Sequence, residues 1–157
     1  MMPRMDDARD YVAVARLQAA YGDAVTRRAW YELVPMFLPD CLVRLDLRTG
    51  AVSEHVGPEA IGRLIASSIE RFEFFAFTIV NTVVDVAPDG VSASGRCYIR
   101  ELRQDRADQR WSTAYGLYRD TYRRDGDRWR FATRDYSSLA RTSAEGDGMD
   151  VFPIPGR

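Results

Sequence analysis

The sequence has 157 residues, of which 46% are apolar, and a formal net charge of −1. This length and apolar content predict a single globular domain over residues 1–157 with a substantial hydrophobic core. The small net charge offers no basic field for nucleic acid or an anionic membrane. The N-terminal segment lacks the apolar core of a signal peptide, and no apolar run is long enough to span a bilayer. We therefore predict a cytoplasmic protein that binds neither nucleic acid nor membrane.

Residue usage excludes several kinds of chemistry. All 22 basic residues are arginine, so Schiff-base formation on lysine and phosphate loops that require lysine are excluded. The single histidine, His55, and the distant cysteines Cys41 and Cys97 cannot supply the usual ligands of zinc. Two separate thiols favour a reduced protein over a disulfide scaffold. We predict no metal and no cofactor.

Helical patterns occupy the first half of the chain. A first helix begins near Asp6, because acidic residues suit the N-terminal end of a helix dipole. Its apolar stripe comprises Tyr11, Val14, Leu17, Tyr21 and Val25. A second, short helix is predicted to carry Trp30 and Phe37 and to end at residues 38–40, with Pro35 in its first turn or at a kink. Proline is preorganised for the first helical position, so a third helix starts at residues 57–59. Its apolar face comprises Ile61, Leu64, Ile65, Ile69 and Phe72.

Strand patterns lie between and after these helices. Residues 43–48 alternate apolar and charged side chains, and a short strand holding His55 follows. From Phe74 onward the pattern predicts long strands over residues 74–86 and 91–102, the first with Asn81 in its middle. Helices grouped ahead of meandering strands indicate an α+β domain with its helices on one side of an antiparallel sheet.

The most informative stretch is residues 115–139, where two aromatic and arginine-rich runs flank an Asp-Gly turn. This pattern predicts a long β-hairpin. Simple alternation places Ala132, Arg134 and Tyr136 on one face, and Phe131, Thr133 and Asp135 on the other. Both faces carry aromatic and ionisable groups, whereas a half-solvated sheet has one polar face. We therefore interpret the hairpin as the wall of a ligand pocket.

The order of elements and seven local patterns resemble the SnoaL-like branch of the nuclear transport factor 2-like superfamily. The patterns are Tyr21, Arg28-Ala29-Trp30, Phe37-Leu38-Pro39-Asp40, Gly57-Pro58-Glu59-Ala60-Ile61, Asn81, Gly116-Leu117-Tyr118-Arg119-Asp120 and Trp129-Arg130-Phe131-Ala132-Thr133-Arg134. The resemblance covers roughly residues 8–139. It implies a cone-shaped α+β barrel, in which a strongly curved, mainly antiparallel sheet and three helices enclose a pocket, usually in a homodimer. We expect the tail, residues 140–157, to cover the pocket mouth or to dock on a dimer partner.

Functional residues of the superfamily match this chain only in part. In ketosteroid isomerases, a Tyr on the first helix and a protonated Asp on a late strand form an oxyanion hole, and these positions match Tyr21 and Asp120. The catalytic carboxylate of the isomerases matches Leu45, with Asp46 next to it and on the opposite face. The resemblance therefore supplies the oxyanion hole without the matching base.

Two other branches fit less well. The Asp and two His of scytalone dehydratases match Thr26, Phe77 and Cys97, which argues against dehydration by that set of residues. Limonene epoxide hydrolases use an Asp-Arg-Asp set, of which an Arg-Asp-Tyr stretch containing Asp135 is present here. The other pair of that set falls near Cys97 and Ile99, so only part of it is matched.

The register of the last strand decides which side chains face the pocket. Alignment on the epoxide hydrolases turns Asp135 inward, whereas alignment on the isomerases turns Arg134 and Tyr136 inward, and we favour the second. Arg134 would then face Asp120 across the hairpin. Asp120 is either the ion-pair partner of Arg134 or, if it is unpaired in an apolar cone, a proton donor beside Tyr21.

These observations favour a cofactor-independent enzyme that acts on a small hydrophobic molecule, including ring-bearing ones, by proton transfer (isomerase, cyclase or dehydratase) or by water addition. The predicted catalytic residues are Asp120 and Tyr21. The predicted substrate-binding residues are Arg134, Tyr136, Tyr118, Asn81, Phe77, Cys97 and Trp30. The candidates for a general base are Asp46, Glu101, Asp135 and His55, although Glu101 is expected to be solvated and His55 to lie at the surface. The alternative is a non-catalytic small-molecule-binding or assembly module, because this fold hosts both kinds of protein.

Overall fold

The structure is a computed structural model that describes residues 5–156. Residues 1–4 and 157 of the predicted domain lie outside the described residues. The helices are α1 (Met5–Arg27), α2 (Trp30–Leu33) and α3 (Pro58–Ile69), with a 3-10 turn (Val34–Met36) after α2. The strands are β1 (Phe37–Asp46), β2 (Ser53–Val56), β3 (Phe72–Val86), β4 (Ser92–Asp105), β5 (Trp111–Asp125), β6 (Arg128–Thr142) and β7 (Met149–Val151). The predicted α+β class is confirmed.

A single curved sheet contains all seven strands. Its order is β2-β1-β6-β5-β4-β3, and β7 pairs with β6 beside this path. All pairs are antiparallel except β1 with β6. Register shifts in three of the pairs mark bulges, which bend strands and increase their twist. The sheet curls around α1 without closing on itself, because β2 and β3 remain its two edges.

The buried face of α1 differs from the predicted apolar stripe. Tyr11 is 39% exposed, whereas Asp10 and Gln18 are buried together with Val14 and Tyr21. The two polar side chains are buried because each has partners on the sheet. Asp10 accepts from the indole N–H of Trp129 at 3.2 Å, and Gln18 makes hydrogen bonds with Tyr122 and Thr82. A pattern of apolar residues cannot detect polar residues that are buried with their partners.

The second helix is shorter than predicted. Pro35 lies in the 3-10 turn, and Phe37 already belongs to β1, where it pairs with Phe131 of β6. The prediction that Phe37 and residues 38–40 complete a helix was therefore wrong. Phe72 likewise begins β3 instead of extending the apolar face of α3. Among the described residues no helix is long and apolar enough to cross a membrane.

The central hairpin is confirmed. Gly126 has a φ of 64° in the turn that joins β5 to β6. Opposite pairs include Asp120 with Arg134, so Arg134 faces inward as the favoured register predicted. A bulge at Ala132 shifts the pairing and places Phe131 on the same buried face as Arg134. The prediction that Phe131 faces the other way was wrong, because simple alternation assumes an unbroken ladder.

The tail folds back on the sheet of its own chain. The backbone N–H of Phe152 donates to the carbonyl of Leu139 at 2.8 Å. The guanidinium of Arg141 lies 4.9 Å from the centre of the Phe152 ring. Arg48 donates to the carbonyl of Pro153 at 3.0 Å. The tail is thereby tied to the end of β6 that borders the cavity.

Candidate functional site

A cavity of about 470 Å³ lies between the concave face of the sheet and helices α1 and α3. This volume is within the range of small-molecule sites. Most of the wall is apolar, and includes Val25, Leu45, Leu64, Ile65, Phe75 and Phe77. The polar side chains in the wall include Tyr21, Glu101, Arg103, Tyr118, Arg134 and Tyr136.

Asp120 and Arg134 form a buried, bidentate ion pair. Arg134 Nε donates to Oδ1 of Asp120 at 2.9 Å, and a terminal guanidinium nitrogen donates to Oδ2 at 3.1 Å. The side chains are 0% and 2% exposed, respectively. Burial raises the pKa of Asp120, while the Arg134 guanidinium and the Tyr122 hydroxyl oppose that rise. Every donor directed at Asp120 suits a carboxylate, so we assign it as the charge partner of Arg134, and it does not line the cavity.

A hydrogen-bond chain supports this pair from behind. The Tyr122 hydroxyl donates to Oδ2 of Asp120 at 2.8 Å and accepts from the side-chain amide of Gln18 at 2.6 Å. The Gln18 carbonyl oxygen in turn accepts from the Thr82 hydroxyl at 2.5 Å. The chain links α1 to β3, β5 and β6. The sequence analysis did not identify Gln18 or Tyr122. The available indication was that Gln18 lies four residues after Val14 and therefore on the same, buried face of α1.

Aromatic rings enclose the rest of the Arg134 guanidinium. Its central carbon lies 4.4 Å from the ring centre of Tyr21, 3.9 Å from that of Tyr118 and 4.1 Å from that of Phe131. Its remaining terminal nitrogen is buried without a hydrogen-bond partner among the described residues, and the three cation–π contacts compensate for this. Burial raises the pKa of Tyr21 and of Tyr118, so both phenols stay protonated and can act as hydrogen-bond donors.

Tyr136 lies across Gly116 of the neighbouring strand. A β-carbon added to Gly116 would meet the Tyr136 ring at 2.1 Å and its hydroxyl at 2.5 Å. Only glycine therefore lets the ring lie flat against β5, where its centre is 5.0 Å from that of Tyr118. Burial, followed by the charge of Glu101, raises the pKa of Tyr136. The cavity thus has a third protonated phenol, whose pKa responds to the carboxylate of Glu101.

Among the described residues, Glu101 is the one carboxylate in the cavity wall, which differs from its predicted solvated position. Its side chain is 19% exposed, and one of its oxygens lies 3.6 Å from Arg103. Burial raises the pKa of Glu101, and the Arg103 charge opposes the rise. The negative charge of Glu101 also raises the pKa values of Tyr21, Tyr118 and Tyr136. Alternate residues of a strand share a face, so Glu101 lies on the same face of β4 as the small residues Ala93, Gly95 and Cys97. This pattern could have identified Glu101 as a cavity residue.

The other predicted substrate-binding residues are dispersed. Phe77 lines the cavity. Cys97 is 1% exposed, packed in a cluster with Tyr118, and burial raises the pKa of its thiol to about 11, which does not suit a nucleophile. Trp30 is partly buried against the main core. Asn81 lies on the convex face because a bulge at Val80 reverses the alternation of β3, and the structure places it outside the cavity.

The remaining base candidates do not line the cavity. Asp46 pairs with Arg48 at 3.4 Å. Asp135 lies opposite Arg119 on the convex face. His55 lies on edge strand β2, where it pairs with Val43 of β1. Among residues 5–156 no group of three or more His, Cys, Asp or Glu side chains could hold a metal ion.

The positions that match the dehydratase residues are adjacent in the structure but carry no acid or base there. The Thr26 hydroxyl accepts from the backbone N–H of Phe77 at 3.0 Å, and the Phe77 ring packs against Tyr21 with centres 5.5 Å apart. An aromatic ring therefore occupies the place where the resemblance would put a histidine. Acid-base chemistry in this cavity has to come from another residue.

Comparison with solved structures gives the same fold at low sequence identity. A protein of Novosphingobium aromaticivorans, provisionally named a scytalone dehydratase, superposes with a TM-score of 0.80 at 18% identity over 97% of both chains. A hexachlorocyclohexane dehydrochlorinase, LinA type 2, has a TM-score of 0.76 at 15% identity over 98% of this chain and 99% of that one. A Streptomyces avermitilis protein, provisionally named a dehydratase of the NTF2-like family, has a TM-score of 0.71 at 16% identity over 84% of this chain and 97% of that one.

The sequence comparisons give two further results. No curated protein matches this sequence. The family model described as a SnoaL-like domain matches residues 6–135, which is most of the chain. The predicted resemblance is confirmed: the chain belongs to the SnoaL-like domain family and has the curved-sheet fold of the nuclear transport factor 2-like superfamily.

Proposed function

We propose that this protein is a cofactor-independent enzyme that moves a proton on a small hydrophobic, ring-bearing substrate, with Glu101 as the acid-base group. One observation carries this proposal: Glu101 faces an apolar cavity among protonated phenols, and its pKa is raised by burial. A raised carboxyl pKa brings a general base closer to the working pH. The names of the dehydratase and dehydrochlorinase neighbours support chemistry of this general kind.

The proposed step is the removal of a proton from a carbon beside a substrate carbonyl. The C–H bond breaks, the proton goes to a Glu101 oxygen, and the electron pair moves to the carbonyl oxygen. The phenols of Tyr21 and Tyr136 are the proposed donors to that developing oxyanion. Return of the proton from Glu101 to another carbon gives isomerisation. Expulsion of a substrate hydroxyl, which leaves as water with the proton from Glu101, gives dehydration. Attack of the carbanion on a second carbonyl gives cyclisation, and the new alkoxide takes up the proton. Addition of water activated by Glu101 would use the same base.

Asp120 has a positioning role in this proposal. Arg134 already satisfies its carboxylate with two hydrogen bonds, so it has no proton to donate. The pair holds the Arg134 guanidinium against the rings of Tyr21 and Tyr118. In this way Asp120 orients two cavity phenols without contacting the substrate, and Tyr21 keeps the oxyanion role that the resemblance implies.

A deuterium-exchange assay tests the proposal without knowledge of the natural substrate. A bicyclic ketone such as a tetralone is incubated with the protein in deuterated buffer, and NMR follows deuterium uptake beside the carbonyl. Wild-type protein should accelerate the uptake, and Glu101→Gln should abolish the acceleration. Glu54→Gln is the matched control, because Glu54 is exposed on β2 and paired with Arg44 at 3.1 Å. If Glu101→Gln accelerated deuterium uptake as much as the wild-type protein does, the proposed role of Glu101 would be contradicted.

The second candidate is a non-catalytic binding module that uses the same cavity. The buried Asp120 and Arg134 pair favours it, because the carboxylate that the resemblance makes catalytic is held as a structural ion pair. Binding of the ketone to wild-type protein and to Glu101→Gln, with no exchange in either, would support this candidate.

We also propose that the protein forms a homodimer through the convex face of the sheet. Exposed apolar side chains occur there on β3 (Phe74 and Val80) and on β5 (Trp111 and Tyr115), the two strands that flank β4. Such patches on soluble proteins mark interaction sites. Light scattering on wild-type protein and on Val80→Glu tests this proposal: the wild type should have the mass of a dimer and the variant that of a monomer.

A further inference from the structure

Three arginines border the cavity at one end of the sheet: Arg71 just before β3, Arg103 near the end of β4, and Arg141 near the end of β6. We call them the arginine cluster. Their mutual proximity is shown by Arg103, whose pKa is lowered by burial and by the like charges of Arg71 and Arg141. Arg71 and Arg103 lie over the same Phe72 ring, at 4.7 and 5.2 Å from its centre.

The described carboxylates neutralise this cluster only in part. Arg103 makes one ion contact, at 3.6 Å to Glu101, which is longer than a hydrogen bond, and its Nε is buried without a partner among the described residues. Arg71 has a loose contact of 3.8 Å with Asp105. Arg141 donates to the carbonyl of Leu47 at 2.6 Å, which satisfies a donor but not the charge. Unfilled donors and excess positive charge at the edge of an apolar cavity suit an anion.

We propose that the ligand of this cavity is amphiphilic, with an apolar ring body among the aliphatic and aromatic side chains and a carboxylate held by Arg103 together with Arg71 and Arg141. The planar guanidinium fork matches the two oxygens of a carboxylate. The neutral wall between the arginine cluster and Tyr21 then holds the ring. This inference deepens the proposed function, on which it rests for the identity of the site, although it concerns binding only.

A bound carboxylate would also change the ionisation of Glu101. Arg103 is the group that opposes the burial-induced rise in its pKa. A bound carboxylate would share the charge of Arg103 and would place another negative charge near Glu101. The pKa of Glu101 should therefore rise on binding, and the protein should take up protons. Tyr21, Tyr118 and Tyr136 face the same region but stay protonated near neutral pH, so they do not contribute to this uptake.

The test compares a tetralone carboxylate with the matching tetralone carboxamide, which has the same ring without the charge. Calorimetry on the full chain at neutral pH should show the carboxylate binding about tenfold or more tightly than the carboxamide. Arg103→Gln should remove most of this preference. Arg63→Gln should retain it, because Arg63 is exposed on α3 and does not line the cavity. Glu101→Gln should strengthen carboxylate binding, since it removes a like charge, and no loss of folding could produce that result.

The outcomes separate this inference from the proposed function. Equal affinity for the two ligands, a preference for the carboxamide, or no binding of the carboxylate to folded wild-type protein would overturn it. Carboxylate preference that Arg103→Gln leaves unchanged would also overturn it. Selective carboxylate binding without deuterium exchange would retain the anion site and reject catalysis, whereas exchange on a neutral ketone without carboxylate preference would do the reverse.

Discussion

Arg134 binds Asp120 through two parallel hydrogen bonds. The Asp120 side chain is 0% exposed and the Arg134 side chain is 2% exposed. Asp120, which matches the oxyanion-hole Asp of the ketosteroid isomerases, therefore holds the Arg134 guanidinium against the rings of Tyr21 and Tyr118. A charge pair of this kind is costly to break because the partner left behind is buried and unpaired. The pair thus couples the stability of the sheet to the shape of the cavity.

Asp120→Asn should destabilise the fold strongly. The substitution leaves the Arg134 guanidinium buried without a counter-charge, and we expect a loss of about 3–5 kcal/mol in the free energy of unfolding. Urea denaturation followed by circular dichroism measures it. Asp125→Asn is the control, because the Asp125 pair with Arg130 at 3.3 Å is 55% exposed on the Asp side and should cost less than about 1 kcal/mol. Equal losses in the two variants would contradict this assignment of Asp120.

Tyr122→Phe should destabilise the protein without changing which residues line the cavity. Its hydroxyl donates to Asp120 and accepts from Gln18, so its removal leaves a buried amide donor unpaired. We expect a cost of about 1–3 kcal/mol in unfolding free energy. Tyr115→Phe provides the control on an exposed ring of the same strand. A Tyr122→Phe protein as stable as the wild type would show that the chain contributes nothing.

Gly116→Ala should disturb the cavity directly. The new methyl group would overlap the Tyr136 ring, which must then move away from β5. Overpacking of this kind costs about 1–3 kcal/mol, and the displaced ring should also weaken ligand binding. Gly62→Ala on α3 meets nothing within 4 Å and should stabilise the helix by roughly 1 kcal/mol. Melting curves and ligand titrations on both variants check the contrast, and unchanged ligand affinity in Gly116→Ala would argue against Tyr136 as part of the wall.

The pH dependence of deuterium exchange should report the ionisation of Glu101. A general base must be ionised, so the rate should rise with pH through the pKa of Glu101, which lies above the ordinary value of 4.5. Arg103→Gln removes the charge that opposes this rise and should move the acidic limb to higher pH. Arg63→Gln should leave the limb in place. A limb that stays at the wild-type pH in Arg103→Gln would contradict control of Glu101 by Arg103.

Much of the fold could be predicted from local patterns. The Asp-Gly turn between aromatic runs and the proline at the start of α3 each depend on neighbours in sequence, and both predictions were confirmed. The strand predicted over residues 43–48 was confirmed as far as Asp46, where β1 ends. The inward register of Arg134 also followed from the family alignment. These features act through backbone geometry and side-chain direction, which the local sequence determines.

Only the tertiary structure decided which polar residues belong to the site. Bulges at Val80 and Ala132 reversed the local alternation, so Asn81 left the concave face while Phe131 joined it. Local periodicity indicates the direction in which Gln18 and Glu101 point, but their burial depends on partners distant in sequence, which no local pattern contains. The sequence by itself determined the family, the order of elements and the aromatic wall, because these follow from periodicity and short motifs. The ionisation of Asp120 and Glu101 was decided by packing, since desolvation and charge pairing exist only once the sheet has curved around them.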